Sequence, residues 1–207
     1  YEVRFASVTR VPPRFETVAT WDFSSLTNTY GNTRTLEQLK DANPGRLDDL
    51  SGENVCMQKY ESGHIQIGKG EKLGCLVLPL PEASRNAEHL TGVLCAWKYP
   101  ASGKPTMPIY SVAGGVTNGL ATVELTNGRA EYRFPVPEGA GAESVILSSA
   151  TNGIALTDQN GRVRVESFAI VSGYVPGSVT TNGFSSIAAK TTERMLKDLW
   201  PGEWVWS

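Results

Sequence analysis

This sequence is short of charge, and what charge it has never gathers. Lysine and arginine total 19 against 21 acidic residues, a formal net charge of −2 over 207 residues. With no basic run to meet phosphates, nucleic acid is not an expected partner. No stretch approaches the ~18 consecutive apolar residues of a membrane span. Residue 1 is Tyr, and no charged-then-apolar leader precedes the first turn, so a mature or trimmed product is expected.

Histidine is scarcer still, with only His64 and His89. Nucleophile–base catalysis needs a base within hydrogen-bond reach of its nucleophile. His64 falls on the polar side of its run, opposite Ile65 and Ile67, and is expected to be solvated. His89 sits between Glu88 and Leu90 in no partner motif. The G-x-S-x-G, H-E-x-x-H, P-loop and G-x-G-x-x-G fingerprints are all missing. The glycine-rich stretch 68–74 follows a strand and precedes no helix, so it is no phosphate cradle. Glycoside hydrolysis needs only two carboxylates about 5 to 9.5 Å apart, and the sequence singles out no such pair. No residue is named as catalytic, and a hydrolase is the least favoured reading.

Cysteine is limited to Cys56, Cys75 and Cys95, at spacings that match no zinc or redox motif. Each lies in a strand-like run, so buried thiols are expected. An odd count leaves at least one unpaired, and a Cys75–Cys95 cross-link cannot be derived.

What the chain has is alternation. From Asn54 to Tyr174, short apolar/polar runs follow one another between turn residues, with no helical stretch among them. The fold class is therefore all-β, an antiparallel β-sandwich. At this length one domain is expected over residues 1–207, with the sandwich core over 14–174 and an extension over 175–207.

Residues 1–13 begin as an edge strand that stops at Pro12-Pro13. Arg14–Phe23 reads as a strand with Ala19, Trp21 and Phe23 on one face. Thr35 caps a short helix over 35–42, with Leu36 and Leu39 as its apolar side. The runs 54–60 and 64–68 form a hairpin through Glu61-Ser62-Gly63. The run 74–80 is apolar on both faces, as in a central strand. Over 93–99, Val93, Cys95, Trp97 and Tyr99 share a side, and Trp97, like Trp21, is assigned to the core.

A hairpin is expected at Asn127-Gly128, joining the runs that carry Val123 and Phe134, and another at Asn160-Gly161. Beyond the second, Val163 and Val165 have one parity while Phe168 and Ile170 have the other. A bulge near Glu166-Ser167 would turn all four inward, because one extra residue resets the alternation. In the extension, 191–199 reads as a helix that Trp200-Pro201-Gly202 stops.

The segments WDFSSL (21–26), ESGHIQIGKGEKLGCLVLPLP (61–81) and NGRVRVESFAI (160–170) resemble galactose-binding-like jelly-roll domains. The resemblance is to those in secreted or surface-anchored proteins of Bacteroides-type gut bacteria, and it covers about residues 17–174. It implies a jelly roll whose final strand lies beside the first, and an extracellular, cell-surface or periplasmic setting. An accessory, often glycan-related role is implied too. So is a structural calcium near the junction of first and last strands, where Asp22 and Glu166 stand. Where that family commonly has an acidic pair, this chain has Glu166-Ser167.

Sugars stack their CH faces on exposed aromatic rings while polar side chains take the hydroxyls. The candidates are Trp200, Trp204 and Trp206 in the extension, Tyr30 in a long loop and Tyr99 at a strand end. A carbohydrate- or ligand-binding module predicts an exposed ring beside Asn, Asp, Arg or Gln. The alternative is an assembly module whose tryptophan-rich tail docks on another domain or subunit.

Overall fold

The computed structural model describes residues 8–10, 16–69, 72–85, 90–99, 105–136, 142–149, 161–172 and 204–206. Two antiparallel sheets face each other in a β-sandwich of jelly-roll type. One holds β4 (Ser51–Glu53), β7 (Cys75–Pro79), β9 (Thr106–Ala113), β10 (Val116–Glu124) and β12 (Ser144–Ser148), in the order β10-β9-β12-β7-β4.

The other holds β3 (Arg34–Thr35), β5 (Val55–Met57), β6 (Ile65–Ile67), β8 (Leu90–Lys98), β11 (Ala130–Val136) and β13 (Val163–Ser172). Its order is β11-β8-β13-β6-β5-β3, with β2 (Glu16–Asp22) also paired to β13. The first and last strands of the sandwich thus lie side by side, as the resemblance implies. A separate two-stranded sheet joins β1 (Val8–Arg10) to β14 (Trp204–Trp206). The expected helix over 191–199 lies outside the described residues.

Alternation builds the core. Leu76, Leu78, Met107, Ile109, Val145 and Leu147 come from one sheet and Ile65, Ile67, Leu94, Val163, Val165, Phe168 and Ile170 from the other, all within a single buried cluster. Trp21 stacks on Phe168 at 5.7 Å, and Phe168 on Phe134 at 6.1 Å. Gly92 on β8 leaves room for that ring, since a Cβ there would come within 2.4 Å of Phe134.

The bulge falls where the parity shift places it. Val165 pairs with Ala96 and Ser167 with Cys95, so Glu166 is the extra residue. Val163, Val165, Phe168 and Ile170 are all fully buried as a result. The hairpin at 61–63 is also present, pairing Val55 with Ile67 and Cys56 with Gln66, with Gly63 at φ 77°.

The hairpin expected at Asn127-Gly128 does not form. β10 pairs with β9 and β11 with β8, so this connection crosses from one sheet to the other. Gly114 and Gly115, at φ 55° and 77°, supply the tight turn instead and put Val116 opposite Ala113. Two consecutive glycines adopt positive φ at no steric penalty, so β10 finds its partner on the β9 side. The second expected hairpin, at Asn160-Gly161, lies partly outside the described residues.

Cys56 is buried, but Cys75 and Cys95 are only half-buried, and all three thiols are free. Cys75 and Cys95 share strands with fully buried leucines but point to the opposite sides.

Candidate functional site

The long loop after β2 owes its form to one buried amide. Asn28 donates through Nδ2 to the carbonyls of Asn32, Met57 and Gln58, at 2.9, 3.2 and 3.0 Å. Its Oδ1 accepts from the Tyr30 N–H at 3.1 Å, and its own N–H donates to the Glu61 carbonyl at 2.9 Å. The loop carrying Tyr30 is thereby tied to the turn carrying Tyr60. A further tie joins Thr33 Oγ1 to Gln58 Oε1 at 3.0 Å.

Beyond the loop, Thr35 caps α1 (Leu36–Ala42) in a capping box with Gln38, and Leu36 and Leu39 are buried, as expected. The opposite side of this helix faces an open groove of about 510 Å³, lined by Tyr30, Arg34, Gln38, Asp41 and Ala42. Tyr30 is 57% exposed, and the Arg34 guanidinium lies 3.7 Å from its ring centroid. That stack holds the ring at a fixed tilt while most of it stays in water.

Tyr60 is 72% exposed and sits at φ 60°. This left-handed backbone is unfavourable for a bulky residue, and such strain gathers at binding sites. Its hydroxyl reaches Gly31, where an added Cβ would lie 3.4 Å away.

A second surface lies on the outer side of the seven-stranded sheet. Trp97 is opposite Arg164, which is opposite Gln66, which is opposite Cys56. Beside this row, the Tyr99 N–H donates to the Arg162 carbonyl at 3.0 Å. Both guanidiniums cover the Tyr99 ring, that of Arg162 at 5.2 Å and that of Arg164 at 4.8 Å. Glu61 accepts a hydrogen bond from Arg164 Nη2 at Oε1, and its Oε2 lies 3.1 Å from His64 Nε2.

His64 is 8% exposed, not solvated as expected. Trp97 meets it edge-on at 5.2 Å, and the long side chains around it exclude water. Burial pulls its pKa below the usual histidine value, outweighing the Glu61 carboxylate, so the neutral ring hydrogen-bonds Glu61.

The predicted site residues scatter. Tyr30 lies in the groove, whereas Tyr99 lies on the sheet face beneath two arginines. Trp97 is not core. It belongs to the outer face, because Leu94 and Ala96 of the other parity turn inward. Trp200 lies outside the described residues. Trp204 and Trp206 are placed by backbone alone, opposite Arg10 and Val8.

Asp22 and Glu166 adjoin across β2 and β13, where the Phe23 N–H donates to the Glu166 carbonyl at 2.8 Å. Each carboxylate is engaged elsewhere. Asp22 Oδ1 accepts from the Ser24 N–H at 2.8 Å, and Ser24's hydrogen bonds hold its pKa below the usual carboxylate value. Glu166 accepts from Arg129 Nη2, whose Nε reaches Cys95 Sγ at 3.2 Å. Calcium takes six to eight oxygens. Among the described residues no three of His, Cys, Asp or Glu gather.

Sequence reasoning missed Arg34, which reaches the groove from β3, and Gln38 and Asp41, which reach it from the polar side of α1. It also missed Arg162 and Arg164. Their two-residue spacing on a strand that buries Val163 and Val165 was the available signal.

No family model matches the chain, and neither does any curated protein. Solved structures similar to it include a family 29 carbohydrate-binding module from Piromyces equi. That structure is 8% identical at TM-score 0.44, with 77% of this chain and 91% of that one covered. Another carbohydrate-binding module of family 29 is 12% identical at TM-score 0.46, covering 79% and 90%. A mutant module of the same family, complexed with cellulohexaose, is 13% identical at TM-score 0.46, covering 79% and 92%.

Proposed function

We propose that this protein is a non-catalytic carbohydrate-binding module that holds a glycan in the groove between the Tyr30 loop and α1. One observation carries the reading: Tyr30 stands in water over a groove whose other walls are a guanidinium, an amide and a carboxylate. A pyranose ring would stack its CH face on Tyr30, and Arg34, Gln38 and Asp41 would take its hydroxyls. Tyr60, exposed on the turn that Asn28 ties to the same loop, offers a further ring for stacking. The sugar meets a surface ordered in advance, which limits the entropy lost on binding.

The setting that goes with this function is a cell surface, the periplasm or the medium outside, where polymeric glycans are met. The assembly alternative rests on side chains of Trp200, Trp204 and Trp206, which are not among those described. A glycan-array screen followed by calorimetry tests the proposal. Tyr30→Ala should weaken the best ligand by about 1 kcal/mol, roughly fivefold. An array with no binder, or a binder indifferent to Tyr30→Ala, would remove the groove as the site.

A further inference from the structure

The wall that α1 gives the groove has a fixed chemical order. Gln38, Asp41 and Ala42 stand at i, i+3 and i+4 along the helix, so they are neighbours on one side of it, with Cβ atoms about 5–6 Å apart. All three are exposed. The capping box decides which way the Gln38 amide faces. Its Oε1 accepts from the Thr35 N–H at 3.0 Å, and only the oxygen can accept there, so Nε2 is the end left for the groove. A ligand therefore meets an amide donor, a carboxylate acceptor and a bare methyl within one turn of helix. Arg34 lies against one face of the Tyr30 ring, so a sugar has the other.

We infer that the groove selects glycans of N-acetylated amino sugars. Gln38 Nε2 donates to the acetamido carbonyl, Asp41 accepts from the acetamido N–H, and the methyl rests on Ala42 while the pyranose stacks on Tyr30. The inference rests on the glycan-binding reading and narrows it to one substrate class.

The match lies in how an amide divides its polarity. A planar acetamido group carries its C=O and its N–H on opposite edges, so it bridges a donor and an acceptor that stand side by side. A hydroxyl gathers both functions on one oxygen, fills one of these positions and leaves the methyl of Ala42 uncovered.

Calorimetry on the whole protein compares chitotetraose with cellotetraose and N-acetylgalactosamine with galactose, pairs that differ only by acetamido against hydroxyl beside the anomeric carbon. In at least one pair the N-acetylated member should bind roughly tenfold more tightly, the combined worth of a second hydrogen bond and a covered methyl. Gln38→Glu is the discriminating variant. Glutamate still accepts at the cap, so the melting temperature should hold, but the donor in the groove becomes an acceptor. A hydroxyl can turn to donate to it and a carbonyl cannot, so the margin should fall to about twofold or less. Equal affinity within both pairs would overturn the inference alone, as would a margin that Gln38→Glu leaves intact. Absence of binding to all of these probes, while a glycan without acetamido groups fills the Tyr30 groove, would also overturn it alone. Failure to bind any glycan would overturn it together with the reading beneath it. Should Gln38→Glu not fold, the paired comparison on the unaltered protein still decides.

Discussion

The two faces of β8 and β13 are chemically opposite, the inner one buried and the outer one half-buried. Inward, Leu94, Ala96, Val165, Phe168 and Ile170 are apolar and fully buried. Outward, Trp97, Arg164 and Gln66 form a row, with His64 beside it, in which Gln66 is 0% exposed. The inner face is held by dispersion and dehydration, with no directional demand. The outer face is held by a few hydrogen bonds and ring contacts that fail if one partner is absent. Burial alone therefore does not identify the core, but the chemistry of what is buried does.

The sharpest break of that contrast is on the inner face. Phe168→Ala removes the ring between Trp21 and Phe134 and should cost about 3–5 kcal/mol, read as a lower denaturant midpoint. A loss under about 1 kcal/mol would mean the inner face is not the continuous core described.

Arg164→Met keeps the stem and deletes the charge, leaving Glu61 with His64 alone. We expect a loss of about 1–3 kcal/mol from that partly buried carboxylate. If Arg164→Met is neutral or stabilising, the outer network holds specificity rather than stability.

The smallest effect comes from pH. Because His64's folded pKa is depressed, the unfolded chain binds the proton first as pH falls below about 6.5. Stability is therefore complete above that value and declines as pH drops toward the folded pKa, by at most about 1.4 kcal/mol per pH unit. His64→Gln should flatten this part of the profile. A profile of unchanged slope in the variant would assign the decline to other groups.

Legibility followed range along the chain. The bulge at Glu166 was readable because four apolar residues change parity around it. The Thr35 cap and the Gly63 hairpin were readable because each needs only its own neighbours. The Asn127-Gly128 hairpin was misread because its turn residues were suitable while the strands had better partners elsewhere. Trp97 was misplaced by a sound rule. The parity of its strand was right, but parity does not say which side the second sheet covers, and Lys98 on the inward side pointed the wrong way. The groove was illegible apart from Tyr30, since its walls come from a loop and a helix held in place by long-range contacts, among them Asn28 with Met57 and Gln58 and Thr33 with Gln58.

By itself, then, the amino-acid order determined strand periodicity, caps, turns and the single insertion in β13, all set by steric and hydrogen-bonding preferences within a few residues. Only the packed structure decided which face met the other sheet, which strands paired, and which polar side chains came together. Those choices depend on contacts between residues far apart in the chain, such as Arg164 with Glu61, 103 positions away, and no local preference encodes them.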